Sequence, residues 1–404
     1  MNRKQKILIF QFGSLGDTVI SMPCYREILR RHPNSERYIL TNFSIGTKMV
    51  QAEALLTPCG LIDGVLRYPM PLRGVSNIIA LYRSIRQHRF DQLYYLSPEK
   101  GLSNLIRHFL FFKACGIRRI RGIPWTRDKR LPRALKGGDI WESEASRLLR
   151  TIGAQTEAAP PDPRDRSLDI TEEENRVAQR LLEGVPQLHR FIVVALGGRV
   201  PVKDWGTDNW VNVLASVSAA HPGLGAVFIG SGDERERNEF LSAAWAGPTI
   251  NSCGQLTPRE TAALMQGASL FLGHDSGPLH LAAALGIRIV ALFCARDVPG
   301  KWFSDRAADR FFYNRPPCFG CGLTQVADCP NNMACMTAHN TEEIISATTQ
   351  MLANVEKQSN GSHPGVLSLR TQSLQTAGHD LNMATVAGYR RVVLPKKGNS
   401  IARY

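Results

Sequence analysis

The stretch Ser269-Leu-Phe-Leu-Gly-His-Asp-Ser-Gly-Pro-Leu-His-Leu-Ala-Ala-Ala-Leu-Gly286, followed by Ile287-Arg-Ile-Val-Ala-Leu-Phe293, decides how the chain folds. Ser269 to Leu272 reads as a short buried strand. Pro278 to Leu285 reads as a helix of Leu and Ala stopped by Gly286, and the second apolar run as another buried strand. Strand, loop, helix, strand is the βαβ unit of a parallel sheet. The turn between strand and helix holds the polar chemistry: His274, Asp275, Ser276, Gly277 and His280. Asp275 or Ser276 can cap the helix, and Pro278 suits its first turn. Free amides at Ser276 and Gly277, with the helix dipole behind them, make an anion site that Gly277 lets a phosphate approach. His280, one turn in, can point at the same spot. A capped helix with a satisfied histidine would use the same residues.

The pattern recurs at the start of the chain. Lys6 to Phe10 is a buried strand running into Gly13-Ser-Leu-Gly-Asp17, then a helix from about Thr18 to Arg31. A dinucleotide site would read G-x-G-x-x-G with an acid closing the second strand. Here the spacing is G-x-x-G, and the second strand, Arg37 to Asn42, ends without an acid. The loop instead offers Asp17, a carboxylate beside two glycines at a helix N-terminus, either a cap or a catalyst. A strand containing Val65 and another at 92–96 alternate with helices near 78–88 and 102–114. Arg118, Arg119, Arg121, Arg127, Lys129 and Arg130 then follow without the aromatic interleaving of a single-strand binder. Phosphate contact suits this cluster, and nucleic acid is not expected as a partner.

Residues 157–166 are rich in proline and charge, so a linker is expected at about 157–170. Thr171-Glu-Glu-Glu174 is a capping box opening a helix to about Glu183. Strands at 191–196, 226–230, 249–251, 269–272 and 288–293 then alternate with helices near 210–220, 234–246 and 258–267. The expected fold class is α/β: two doubly wound domains, 1–166 and 171–356, facing a cleft at the carboxyl ends of their sheets. Residues 357–404, rich in Ser, Gly, Asn and Thr, read as a basic, flexible tail.

The chain has 404 residues, enough for two domains each with its own core, and 43% are hydrophobic. No apolar run approaches the roughly 20 residues of a membrane span, and the first residues lack a signal-peptide pattern. A cytoplasmic protein is expected. The net charge of +14 is unevenly spread: 31 Lys+Arg oppose 19 Asp+Glu over residues 1–190, 11 oppose 15 over 191–356, and 7 oppose 1 over 357–404. A basic first half suits nucleic acid, an anionic membrane surface or a phosphorylated substrate, and equally a plain solvated basic surface. Of nine cysteines, four cluster as Cys318-x2-Cys321-x7-Cys329-x5-Cys335. These four either hold a structural zinc or iron or remain free thiols.

Two more stretches leave strand ends toward the expected cleft. One is Gly197-Gly-Arg-Val-Pro-Val-Lys-Asp-Trp205, a glycine pair followed by a cation. The other is Gly230-Ser-Gly-Asp-Glu234, where Asp233 or Glu234 can bind ribose hydroxyls. Together, Gly13-Ser-Leu-Gly-Asp17, Lys203-x-Trp205 with Asn209-Trp210, and Asp275-Ser-Gly-Pro-Leu-His280 resemble the ADP-heptose:lipopolysaccharide heptosyltransferases, glycosyltransferase family 9. The resemblance spans roughly residues 6 to 355.

It implies a GT-B fold of two Rossmann-like domains, acceptor on the first and nucleotide sugar on the second, and an inverting transfer requiring no cofactor. Asp17 would be the general base, and Lys203 the cation neutralising the leaving diphosphate. Asp275, Ser276, Gly277 and His280 would bind the donor phosphates, with Gly13, Gly16, Gly198, Arg199, Asp233 and Glu234 completing the donor site. Gly198 and Arg199 depart from the hydroxyl residues common in relatives, so Arg199 is read as a phosphate contact. The donor implied is ADP-heptose. The acceptor implied is a lipid A-core type glycolipid, met by the Arg118–Arg130 cluster at the inner membrane face, where the protein would be peripheral. The alternatives are a GT-B transferase using another nucleotide sugar and a non-catalytic binder of anionic glycans.

Overall fold

The computed structural model describes residues 3–44, 51–70, 72, 74–97 and 101–360. The first half contains β1 (Lys6–Phe10), α1 (Leu15–Arg31), β2 (Glu36–Ser44), α2 (Glu53–Leu56), β3 (Gly64–Met70), α3 (Val75–His88), β4 (Gln92–Tyr95), α4 (Leu102–Ala114), β5 (Arg119–Arg121), α5 (Arg127–Arg130) and α6 (Glu144–Thr151). The second half opens with α7 (Glu172–Glu183), β6 (Phe191–Ala195), α8 (Thr207–Ala220), β7 (Gly225–Phe228), α9 (Arg235–Ser242) and β8 (Thr249–Asn251). It continues with α10 (Pro258–Met265), β9 (Phe271–His274), α11 (Gly277–Ala284), β10 (Ile289–Phe293), β11 (Arg310–Tyr313), α12 (Ala334–Thr337) and α13 (Thr341–Asn360).

Two all-parallel sheets result, ordered β3-β2-β1-β4-β5 and β11-β10-β9-β6-β7-β8. Each reverses its winding once, between β1 and β4 in the first and between β6 and β9 in the second. The loops leaving those central strands therefore stand at topological switch points, where open α/β sheets place ligands. Both faces of each sheet are covered. Ile7 and Ile9 enter one core while Leu8 and Phe10 enter the opposite one. Ile289, Ala291 and Phe293 likewise alternate with Val290 and Leu292. Continuous apolar runs, rather than alternating ones, follow from that double burial.

Each half has a core of its own over one face of its sheet, and a further core is shared between the halves. One apolar cluster runs from Val19, Met22 and Tyr25 of α1 to Leu279, Leu281 and Ala282 of α11. Small residues permit the contact: a Cβ on Gly16 would lie 2.6 Å from His280 Cδ2, and one on Gly277 would lie 3.0 Å from Leu15 Cδ2.

The segment read as a linker is also pinned. Arg30 pairs with Asp165 at 2.7 Å, Arg26 with Asp169 at 2.7 Å, and Arg166 with Asp305. Arg259 of α10 donates to the Leu168 and Asp169 carbonyls. Prolines restrict this stretch, and the arginines fix what remains. The Thr171 capping box forms as expected. Seven elements were not expected: β5, β11, α6, α13 and the short helices α2, α5 and α12. The helix expected near 234–246 is a 3₁₀ turn, Gly232–Glu234, followed by the shorter α9. The expected tail begins within α13, and beyond residue 360 it lies outside the described residues.

Candidate active site

Asp17 occupies the first turn of α1. Its Oδ2 accepts hydrogen bonds from the Ser14 backbone N–H (2.7 Å) and the Ser14 hydroxyl (3.0 Å). The side chain folds back because Gly13 has φ +150° and no Cβ, which would lie 2.5 Å from Asp17 Cβ. Desolvation pushes the Asp17 pKa above the ordinary carboxylate value, and the Ser14 donors only partly offset it. Glu144 adds to the rise, while the charge of Lys203 pulls against it. Lys203 of the second half therefore acts electrostatically on a first-half carboxylate.

Lys203 ends a 3₁₀ turn, Pro201–Lys203, in the loop after β6. Its Nζ lies 2.6 Å from Asp275 Oδ2, both side chains being largely buried. Asp275 Oδ1 lies 3.8 Å from His280 Nε2. Burial drives the His280 pKa down to about 4, so its ring is neutral at pH 7. Ser276 is the N-cap of α11, yet its side chain makes no capping bond, and its Oγ is buried without a partner. Helix N-termini of this kind offer backbone amides and a dipole that favour anions. His274 has a different part: Trp210 Nε1–H donates to its Nε2 at 3.1 Å, and burial lowers its pKa to about 4. It supports the site from beneath.

The other sequence candidates are placed unequally. Gly198, Arg199 and Asp233 are exposed on their loops. Glu234 turns its carboxylate back to accept from the Ser231 N–H at 2.7 Å. Gly197 and Gly230 make room for that carboxylate, since a Cβ on either would overlap it. Arg118, Arg119, Arg121 and Arg127 are exposed, with Arg119 to Arg121 forming the edge strand β5. Lys129 and Arg130 are partly buried. The Lys129 carbonyl accepts from Arg147 at 2.7 Å, and Arg130 donates to the Trp125 carbonyl at 3.0 Å.

The cysteine cluster Cys318, Cys321, Cys329 and Cys335 is read from the sequence as either a metal site or free thiols. Among the described residues, no group of three or more His, Cys, Asp or Glu is placed to hold a metal ion. None of the four is in a disulfide, and burial, with the neighbouring cysteines, raises the Cys335 pKa.

Sequence reasoning missed the layer joining the halves. The Trp141 N–H donates to the Pro299 carbonyl (2.9 Å) and the Glu144 N–H to the Lys301 carbonyl (2.8 Å). Gly300 is required there, with φ +94° and a virtual Cβ 2.3 Å from the Trp141 oxygen. Glu144 is buried and doubly bonded by Arg147, at 2.8 and 2.5 Å. Lys301 pairs with Asp297 at 3.0 Å. Burial would raise Asp297, but Lys301 and Arg296 outweigh it and hold its pKa below the usual range. The i, i+3 pair Glu144 and Arg147 was the available sequence signal.

Residues 144–302 match the family model for glycosyltransferase family 9 (heptosyltransferase). Lipopolysaccharide heptosyltransferase 3 of Escherichia coli is 28% identical over 173 residues, 40% of this chain and 46% of that protein. The match thus spans about half the length of that relative. A family 9 glycosyl transferase from Veillonella parvula superposes with a TM-score of 0.64 at 18% identity, covering 88% of this chain and 99% of its own. The E. coli ADP-heptose lps heptosyltransferase II gives 0.60 at 16% identity, covering 87% and 100%. Likeness at that level is one of fold, and the fold is GT-B, as the resemblance implied.

Proposed function

We propose that the protein transfers heptose from ADP-heptose to a lipid-linked, anionic core acceptor, a reading supported by the match of residues 144–302 to the glycosyltransferase family 9 (heptosyltransferase) model. The observation that carries this reading is the meeting of two helix starts: a desolvated Asp17 on α1, and the Lys203–Asp275 pair with the orphan Ser276 hydroxyl on α11. The names of the E. coli relatives support the substrate class.

A carboxylate with a raised pKa is a stronger base than an ordinary aspartate, suited to removing a proton from an acceptor hydroxyl as it attacks the anomeric carbon. That single displacement inverts the anomeric centre. The α11 amides, Ser276 Oγ and Lys203 are placed to receive the diphosphate, and Lys203 offsets its charge as the sugar bond breaks. Asp275 positions Lys203, and the neutral His280 adds no charge to the subsite. Exposed Arg199 stands on the same loop as Lys203, available to a phosphate. Asp233 is available to the ribose. Arg118, Arg119, Arg121 and Arg127 form the acceptor's cationic approach, at a membrane face on the cytoplasmic side.

A thermal-shift series with ADP, UDP, GDP and CMP, followed by a transfer assay with ADP-heptose and a deacylated core oligosaccharide, tests the reading. ADP should raise Tm most, since a ligand that binds the folded state stabilises it. Stabilisation by UDP alone would replace the donor. ADP binding without transfer to any core acceptor would favour the non-catalytic binder.

A further inference from the structure

The outer layer of the first sheet carries apolar side chains that stand exposed among the described residues. On α4, Leu102, Ile106 and Leu110 recur every fourth residue and are 50%, 45% and 60% exposed. Their spacing puts them in one stripe along the helix. On α3, Val75 is 72% exposed, with Ile78 and Ile79 beside it at 42% and 41%. Both helices pack their other sides, through Leu81, Ile85, Leu105 and Phe112, into the same core over the first sheet. Arg86 Nη1 donates to the Ala114 carbonyl at 3.3 Å, joining their C-terminal ends. Trp125, 42% exposed, stacks edge-on against Phe109 of α4 with centroids 5.4 Å apart.

The charge on this face has one sign. Neither α3 nor α4 contains an acidic residue, while Arg83, Arg86, Arg107 and Lys113 lie on them. Where the helices end, a cavity of about 840 Å³ is lined by Arg3, Arg83, Arg86, Arg89 and Arg118, with Asp91 as the one carboxylate among its lining residues. Exposed aliphatic stripes on two neighbouring helices, an interfacial tryptophan and an arginine-lined hollow match the chemistry of one partner. We infer that the α3–α4 face docks on an anionic lipid bilayer, with the aliphatic stripes entering the acyl boundary and the arginines meeting headgroup phosphates. A second copy of the chain is the poorer occupant, because two such faces would bring like charges together. The inference deepens the proposed function, from which it takes a lipid-linked acceptor, and shares with it Arg118 alone, which neither variant below changes.

Full-length protein is sedimented with vesicles of phosphatidylcholine, and with vesicles containing phosphatidylglycerol, neither holding donor or acceptor. Wild type should bind the anionic vesicles, weakly or not at all the zwitterionic ones, and release as salt is raised. Ile106→Asp with Leu110→Asp should lower partitioning about tenfold or more without lowering Tm, because both side chains already face water. Arg83→Glu with Arg107→Glu should remove the preference for anionic lipid by a similar factor. The basic segment after residue 360 is common to all three proteins, so it cannot produce the difference. Transfer to a deacylated acceptor should be equal in all three, which separates failure of docking from failure of the proposed reaction. Absent binding to anionic vesicles, binding equal in wild type and both variants, or a wild-type dimer that the apolar variant dissolves would each overturn the inference.

Discussion

The starts of α1 and α11 are built from the same parts, a strand at a switch point, a short loop and a serine N-cap, yet they treat negative charge in opposite ways. On α1 the helix's own Asp17 takes the Ser14 N–H and hydroxyl, so the end is already satisfied by a carboxylate. On α11 the carboxylate belongs to the residue before the cap, and Lys203 holds it aside. The Ser276 hydroxyl is left without a partner. One helix start has consumed its affinity for anions to hold a base, and the other has kept it for a ligand. Glycines at both starts bring the two within van der Waals reach.

The contrast breaks most sharply at Asp17. Asp17→Asn is expected to lower transfer by about 10²-fold or more, since it removes a general base. Tm should not fall, because the amide oxygen still accepts from Ser14 and a costly buried charge is gone. In wild type the ionised base is lost as pH falls through a pKa raised above the ordinary aspartate value. The acid limb of kcat/KM should therefore lie above pH 3.8, and a limb unchanged in the variant would assign it to another group.

At the other helix start, Lys203→Ala should cost on the order of 10²-fold in kcat, the scale of one lost electrostatic stabiliser. Unlike the Asp17 change it should also lower Tm, because Asp275 is left buried and unpaired. Equal Tm in both variants would erase the distinction drawn here.

A smaller effect is expected from the basic edge of the first sheet. Replacing Arg118, Arg119 and Arg121 by Gln should raise KM for an anionic acceptor by about tenfold, each exposed, solvent-screened charge being worth about 0.5 kcal/mol. High salt should remove the difference, and donor KM should stay put. A shift in both constants would place the acceptor elsewhere.

Gly16→Ala tests how closely the two starts must approach. The new methyl meets the buried His280 ring at 2.6 Å, so stability should fall by about 1–3 kcal/mol, read from urea unfolding. An unchanged midpoint would mean that the two helices separate freely.

The last effect is acid lability. Burial holds His274, His280 and His339 at about 4, against 6.5 for a free histidine. Between those values the unfolded chain binds more protons, so stability should fall as pH drops from 6.5 to 4. A Tm constant across that range would contradict their neutral burial.

Much of this was legible in the residues themselves. Apolar runs of four or five residues separated by helical periods could only be strands buried on both faces, which fixed two parallel α/β halves. Gly277, Ser276 and Asp275 at a strand end marked an anion seat by backbone chemistry alone, and Gly13 to Asp17 marked a carboxylate at a helix start. These are local signals, because a cap, a turn and a strand are decided within a few residues. What only the tertiary structure decided are the pairings between segments distant in the chain. Lys203 reaches Asp275 across 72 positions. Trp141 and Glu144 bond the segment from Pro299 to Lys301, and the cores merge through α1 and α11. The raised pKa of Asp17 belongs to the same class, since desolvation depends on what packs around a group, and composition does not record that.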